Sequence, residues 1–74
     1  MIIDVYNSTK PEDVARELFQ MEIHPRTIKV YNNGNSSLIE IIYDGNFATV
    51  YGSIEPGRYQ LKQNGSECIL ESVK

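Results

Sequence analysis

Hydrophobic residues recur at every second position over most of this chain, and at every third to fourth position in one stretch only. The alternation is clearest from Ser37 to Tyr51, where SLIEIIYDGNFATVY reads as two strands joined by a tight turn at Asp44-Gly45. A primed turn needs positive φ at its centre, and an Asp-Gly pair between alternating runs supplies it. That turn sets Ile42 against Phe47, Ile41 against Ala48, Glu40 against Thr49 and Ile39 against Val50. Side chains alternate faces along a strand, so Ile39, Ile41, Tyr43, Ala48 and Val50 share a core face. The opposite face carries Leu38, Glu40, Ile42, Phe47, Thr49 and Tyr51. Moving the turn to Gly45-Asn46 shifts the pairing by two and leaves both sets unchanged.

The other elements follow from the same pattern. Ile2 to Tyr6 alternates and predicts a short first strand, broken at Asn7-Ser8. The helical period falls between Lys10 and Met21, where Val14, Leu18 and Met21, flanked by Ala15 and Phe19, form a broad apolar stripe. Thr9 followed by Glu12 predicts a capping box, Pro11 suits the first turn, and Glu12 and Asp13 suit the positive end of the helix dipole. His24 precedes Pro25 and is pushed out of helical geometry, which ends the segment. Thr27 to Asn32 is the next strand. The Asn33-Gly34 turn pairs Ile28 with Ile39 and Lys29 with Leu38, leaving Lys29 diagonal to Glu40. Pro56-Gly57 is a type II turn pair. Beyond it, a hairpin around Asn64-Gly65 sets Arg58 against Glu71, Lys62 against Glu67, Leu61 against Cys68 and Tyr59 against Leu70.

These elements predict an α+β fold ordered β-α-β-β-β-β-β, spanning residues 1–74 as one small domain. One helix packs on a mainly antiparallel, strongly curved sheet or small open barrel. The first strand is expected to pair in parallel with the second or third through a right-handed crossover. A chain of 74 residues buries only about 60% of its unfolded surface, so many such domains lean on a staple or a partner. With a single cysteine, Cys68, no disulfide forms within the chain, and one histidine and one cysteine make no zinc spacing. Tight packing or oligomerisation is left.

Charge narrows the partners. The formal net charge is −3, and the basic residues are scattered, whereas a nucleic-acid binder carries a basic patch or stripe. No apolar run has membrane-spanning length, and the N-terminus is no signal peptide, which predicts a cytoplasmic protein. Catalytic chemistry finds no set of residues. His24 reads as a surface loop residue and Cys68 as a buried structural thiol, so no nucleophile has its base. Glu12, Asp13, Glu17 and Glu22 serve the helix start and its exposed face. No glycine follows a strand to open a helix, so no phosphate loop exists. Five tyrosines suggest base stacking, but without flanking basic residues that reading is poor.

What remains is the second face of the central hairpin, too apolar for water yet holding a carboxylate. The sequence therefore predicts a non-enzymatic protein-interaction module with no cofactor and no metal. Its interface is Tyr31, Leu38, Glu40, Ile42, Phe47 and Tyr51, and its partner is a host protein or a second copy in a homo-oligomer. In size and charge it is like the small accessory proteins of phages and mobile elements, many of which bind and inhibit a host protein. The alternatives are a structural or decoration subunit of a symmetric assembly such as a virion, and a small-ligand binder with a pocket between subunits or at a barrel mouth.

Overall fold

The structure, a computed structural model, describes residues 1–73. In chain order the elements are β1 (Ile2–Val5), α1 (Pro11–Gln20), β2 (Thr27–Asn32), β3 (Asn35–Asp44), β4 (Phe47–Gly52), β5 (Gly57–Asn64) and β6 (Glu67–Ser72). The strands form one six-stranded sheet in the order β1-β5-β6-β2-β3-β4. Every neighbouring pair is antiparallel except β2 with β6. The predicted class is correct: one helix lies against a mixed sheet curled into a half-barrel.

The curl has a topological cause. β4 and β5 lie four strand steps apart in the sheet, about 19 Å if it were flat. The residue steps from Gly52 to Gly57 reach only about 18 Å when fully extended. Curling brings the two ends within reach of the short Ser53–Pro56 connection. Two hydrogen bonds hold that connection over the end of β2: the Tyr59 hydroxyl donates to Glu55 O (2.6 Å) and accepts from Asn32 Nδ2 (3.1 Å).

The core fills the concave side. Ile3 and Val5 of β1, Val14, Ala15 and Leu18 of α1, Ile28 and Val30, Ile39 and Ile41, Tyr59, Cys68 and Leu70 are all buried. Phe19 and Met21 pack at its margin, so the predicted helical stripe faces inward as expected. No polar or charged side chain is buried among the described residues, and no buried side-chain nitrogen or oxygen lacks a partner.

Several local expectations need correction. β1 pairs antiparallel with β5, not in parallel with β2 or β3. The parallel pair is β2 with β6, because the C-terminal hairpin inserts between the two strands that the helix connects. Thr9 does not cap the helix. Its Oγ1 accepts the Tyr6 N–H (2.9 Å) in the preceding turn, while Lys10 is the N-cap residue and donates its backbone N–H to Asp13 Oδ2 (2.9 Å). The helix ends at Gln20, within a residue of its expected end at Met21, and its ending is made by Glu22 and Ile23 and not by Pro25. Glu22 enters the left-handed region at φ 61° and donates to Phe19 O, and Ile23 donates to Leu18 O, the two bonds of a Schellman ending.

Two hairpins are shifted by two residues from their first reading. The turn between β3 and β4 is Gly45-Asn46, so Asp44 opposes Phe47, Tyr43 opposes Ala48, Ile42 opposes Thr49, Ile41 opposes Val50 and Glu40 opposes Tyr51. The turn between β5 and β6 is Gly65-Ser66, which sets Leu61 against Leu70, Gln63 against Cys68, Gln60 against Glu71 and Tyr59 against Ser72. In both, glycine takes the first central position with φ near 60°, the signature of a type II′ turn. The Asn33-Gly34 turn has both residues at positive φ, as type I′ requires, and its predicted pairs Ile28/Ile39 and Lys29/Leu38 are present. Because each shift is by two, no side chain changes face. The predicted cross-strand charges do change partners: Arg58 meets Asp4 (2.8 Å), Lys62 meets Glu71 (3.1 Å), and Lys29 meets Glu67 (3.4 Å) rather than Glu40.

Candidate functional site

The outer, convex face of β3 and β4 gathers most of the predicted interface. Leu38, Glu40 and Ile42 stand on alternate positions of β3, and Phe47, Thr49 and Tyr51 on alternate positions of β4. Pairing places Tyr51 beside Glu40, Thr49 beside Ile42 and Phe47 beside Asp44. Ile42 and Phe47 are therefore diagonal neighbours rather than opposite each other. All of these side chains are exposed, Phe47 most of all at 80%. On the β2 side, Leu38 opposes Lys29, and Glu40 opposes Thr27. Glu40 makes no ion pair among the described residues, so its carboxylate is left to solvent at the centre of the apolar surface.

Tyr31 stands apart from the rest. It opposes Ser36 at the far end of β3 and, with Leu38, Lys29, Ser36 and Ser37, lines a shallow depression. Along the sheet it lies four same-face rows from Phe47, about 27 Å at strand spacing. The structure thus joins Leu38, Glu40, Ile42, Phe47 and Tyr51 into one surface, with Tyr31 flanking its Leu38 end.

Tyr43 departs from its expected place. Its parity is inward, yet it is 40% exposed, because β3 runs past the end of the core at its turn. Its hydroxyl donates to Pro25 O (2.6 Å) and its ring packs near Phe19, which also stacks on His24 with ring centroids 5.4 Å apart. His24 is therefore an exposed loop residue held by an aromatic contact.

Two features have no residue-level signal in the sequence, although a pocket at a barrel mouth is among the expectations. A cavity of about 220 Å³ opens at the end of the half-barrel, lined by Val30, Asn32, Ser37, Ser53, Glu55 and Tyr59 among others. Its polar groups come from three separate segments, and no spacing in the chain announces them. The second is the status of β4 as an edge strand, fixed by strand order alone.

The titratable groups that are perturbed all shift away from neutrality. Burial raises the Tyr59 phenol, against a smaller lowering by the Asn32 hydrogen bond, and burial likewise raises Tyr43 and the Cys68 thiol. The hydrogen bond that Arg58 donates to the Asp4 carboxylate holds its guanidinium still more firmly protonated. Each keeps its proton at neutral pH. Among the described residues no group of three or more His, Cys, Asp or Glu side chains is placed to hold a metal, and no helix is long and apolar enough to cross a membrane. Compared with known proteins, the chain matches no family model, no curated protein and no solved structure.

Proposed function

We propose that this chain is a non-enzymatic protein-interaction module that acts in the cytoplasm through the outer face of β3 and β4. One observation carries the reading. The core is complete on the concave side, yet Leu38, Ile42, Phe47 and Tyr51 stay exposed together on the convex side around Glu40. Scattered exposed apolar residues are ordinary, whereas a contiguous set of large ones rimmed by polar groups marks a contact surface. The aromatic pair Phe47 and Tyr51 supplies the kind of anchor that dominates protein interfaces, and Glu40 supplies register to a partner with a donor. The partner is another protein, either foreign, as in an inhibitor, or of the same kind, as in an assembly subunit.

Phe47→Asp tests this directly. Wild type and variant are compared by light scattering across a dilution series and by capture of partners on immobilised protein. Association should be present in wild type and lost in a variant that keeps its circular dichroism spectrum. A variant that associates as well as wild type, or a wild type that associates with nothing, would sink the reading.

A further inference from the structure

We propose that β4 is a self-pairing edge: two copies join antiparallel through β4 about a two-fold axis at Thr49, making one twelve-stranded sheet. The proposal rests on the reading of this region as an interaction surface and names its partner as a second copy.

A two-residue turn closes on Asp44 and Phe47, and hydrogen-bonded pairs alternate with non-bonded pairs along an antiparallel ladder. Asp44/Phe47, Ile42/Thr49 and Glu40/Tyr51 are then the bonded pairs. Ala48 and Val50 turn their N–H and C=O groups away from β3, toward the open edge. Outside the sheet ladders, no hydrogen bond among the described residues involves either of them.

Edge strands are normally guarded by charge, proline, a bulge, shortness or a covering helix or loop. The helix α1 lies beside β4 but makes no hydrogen bond to it among the described residues. The other edge, β1, is four residues long and carries Asp4, paired to Arg58. β4 is six residues long, FATVYG, with no charged side chain and no proline. That is an edge left open to another strand.

The same strand is its own complement. Centred on Thr49, antiparallel pairing bonds Ala48 to the partner's Val50 and Val50 to the partner's Ala48. On the outer face it sets Phe47 opposite the partner's Tyr51, twice, and Thr49 opposite the partner's Thr49. Aromatic pairs and Thr–Thr pairs are among the favourable cross-strand combinations. Charge does not oppose it despite the net −3. The row on either side of the axis reads Glu40, Tyr51, then the partner's Phe47 and the partner's Asp44. Its two carboxylates are three strand spacings apart, about 14 Å, beyond a screening length of about 8 Å. On the concave side the groove between α1 and β4 offers both signs, Glu12 and Arg16, beside the small Ala48.

Thr49 lies on the axis, so charge placed there meets itself. Sedimentation and native mass spectrometry should find wild type doubling from 8.4 kDa as concentration rises. Thr49→Lys and Thr49→Glu should each be folded and monomeric, and their equimolar mixture should restore a dimer of one of each. In wild type the amide exchange of Ala48 and Val50 should slow as concentration rises. A wild type monomeric up to millimolar concentration overturns the pairing, as does a dimer that Thr49→Lys and Thr49→Glu leave intact, or whose Ala48 and Val50 amides stay unprotected. A monomeric wild type that still captures a foreign protein, and loses it on Phe47→Asp substitution, overturns the pairing while the interaction reading stands. Absence of any association removes both.

Discussion

Tyr59 is wholly buried, and its hydroxyl ties the Ser53–Pro56 connection to the end of β2 through Glu55 O and Asn32. Removing the hydroxyl leaves the Glu55 carbonyl without this donor, and leaves Asn32 Nδ2 only its longer bond to Pro56 O (3.5 Å). Tyr59→Phe should therefore lower stability by about 1–2 kcal/mol, measured by urea unfolding. The same burial gives a pH dependence. The folded state holds the protons of Tyr59 and Cys68 more tightly than the unfolded chain, whose thiol and phenol titrate near 9.0 and 10.0. Above those values the unfolded state binds fewer protons, so stability must fall as pH rises. The melting temperature should carry no contribution from these groups between about pH 7 and 8 and decline from about pH 9 upward. Cys68 should also resist alkylation in the native state, since a buried thiol kept protonated is a poor nucleophile.

At the scale of elements, hairpins and helix were legible because their signals are local. Alternation assigned each strand residue to a face, and those assignments survive a register error of two. The error itself came from treating every X-Gly pair as the centre of a turn. Gly45 and Gly65 instead occupy the first central position, so the residue before each still belongs to its strand. The helix end is local too, but Glu22 gives no warning of it. It adopts a left-handed conformation that costs an L-residue about 1–2 kcal/mol and glycine little. Glu22→Gly should raise stability by about 0.5–1 kcal/mol, the relief of strain being partly offset by the greater freedom of glycine when unfolded. Gly52 is the opposite case. At φ 130°, a Cβ there would run into Leu38 O and the Ile39 backbone. Gly52→Ala should lower stability by about 2 kcal/mol or more, because the contact is with backbone that cannot step aside.

For the whole molecule, the division of labour between the two sheet faces carries the functional reading. The concave face with the helix makes the core, and the convex face contributes little to it. Phe47→Asp should accordingly cost no more than about 1 kcal/mol by urea titration, chiefly from the second carboxylate it sets opposite Asp44. Leu18→Ala, at the centre of the helix–sheet contact, should cost about 2–5 kcal/mol in the same assay. The contrast separates stability from association: one variant weakens the fold, the other leaves it folded and alone.

By itself the sequence determined the seven elements, the face each strand side chain takes and the apolar outer surface of the central hairpin, because periodicity and turn chemistry act over a few residues. Leu38, Glu40, Ile42, Phe47 and Tyr51 share a face for that reason alone. The sequence did not determine depth of burial, since the inward-facing Tyr43 and Ala48 stay exposed. Tertiary structure decided which strands became neighbours. It placed the C-terminal hairpin between β1 and β2, sent Arg58 to Asp4 and Lys29 to Glu67, and left β4 at an edge. Those outcomes depend on contacts between segments distant in the chain, where backbone ladders accept any strand of suitable face. Only the joint burial of Ile3, Leu18, Ile28, Tyr59 and Leu70 in one core selects among the strand orders.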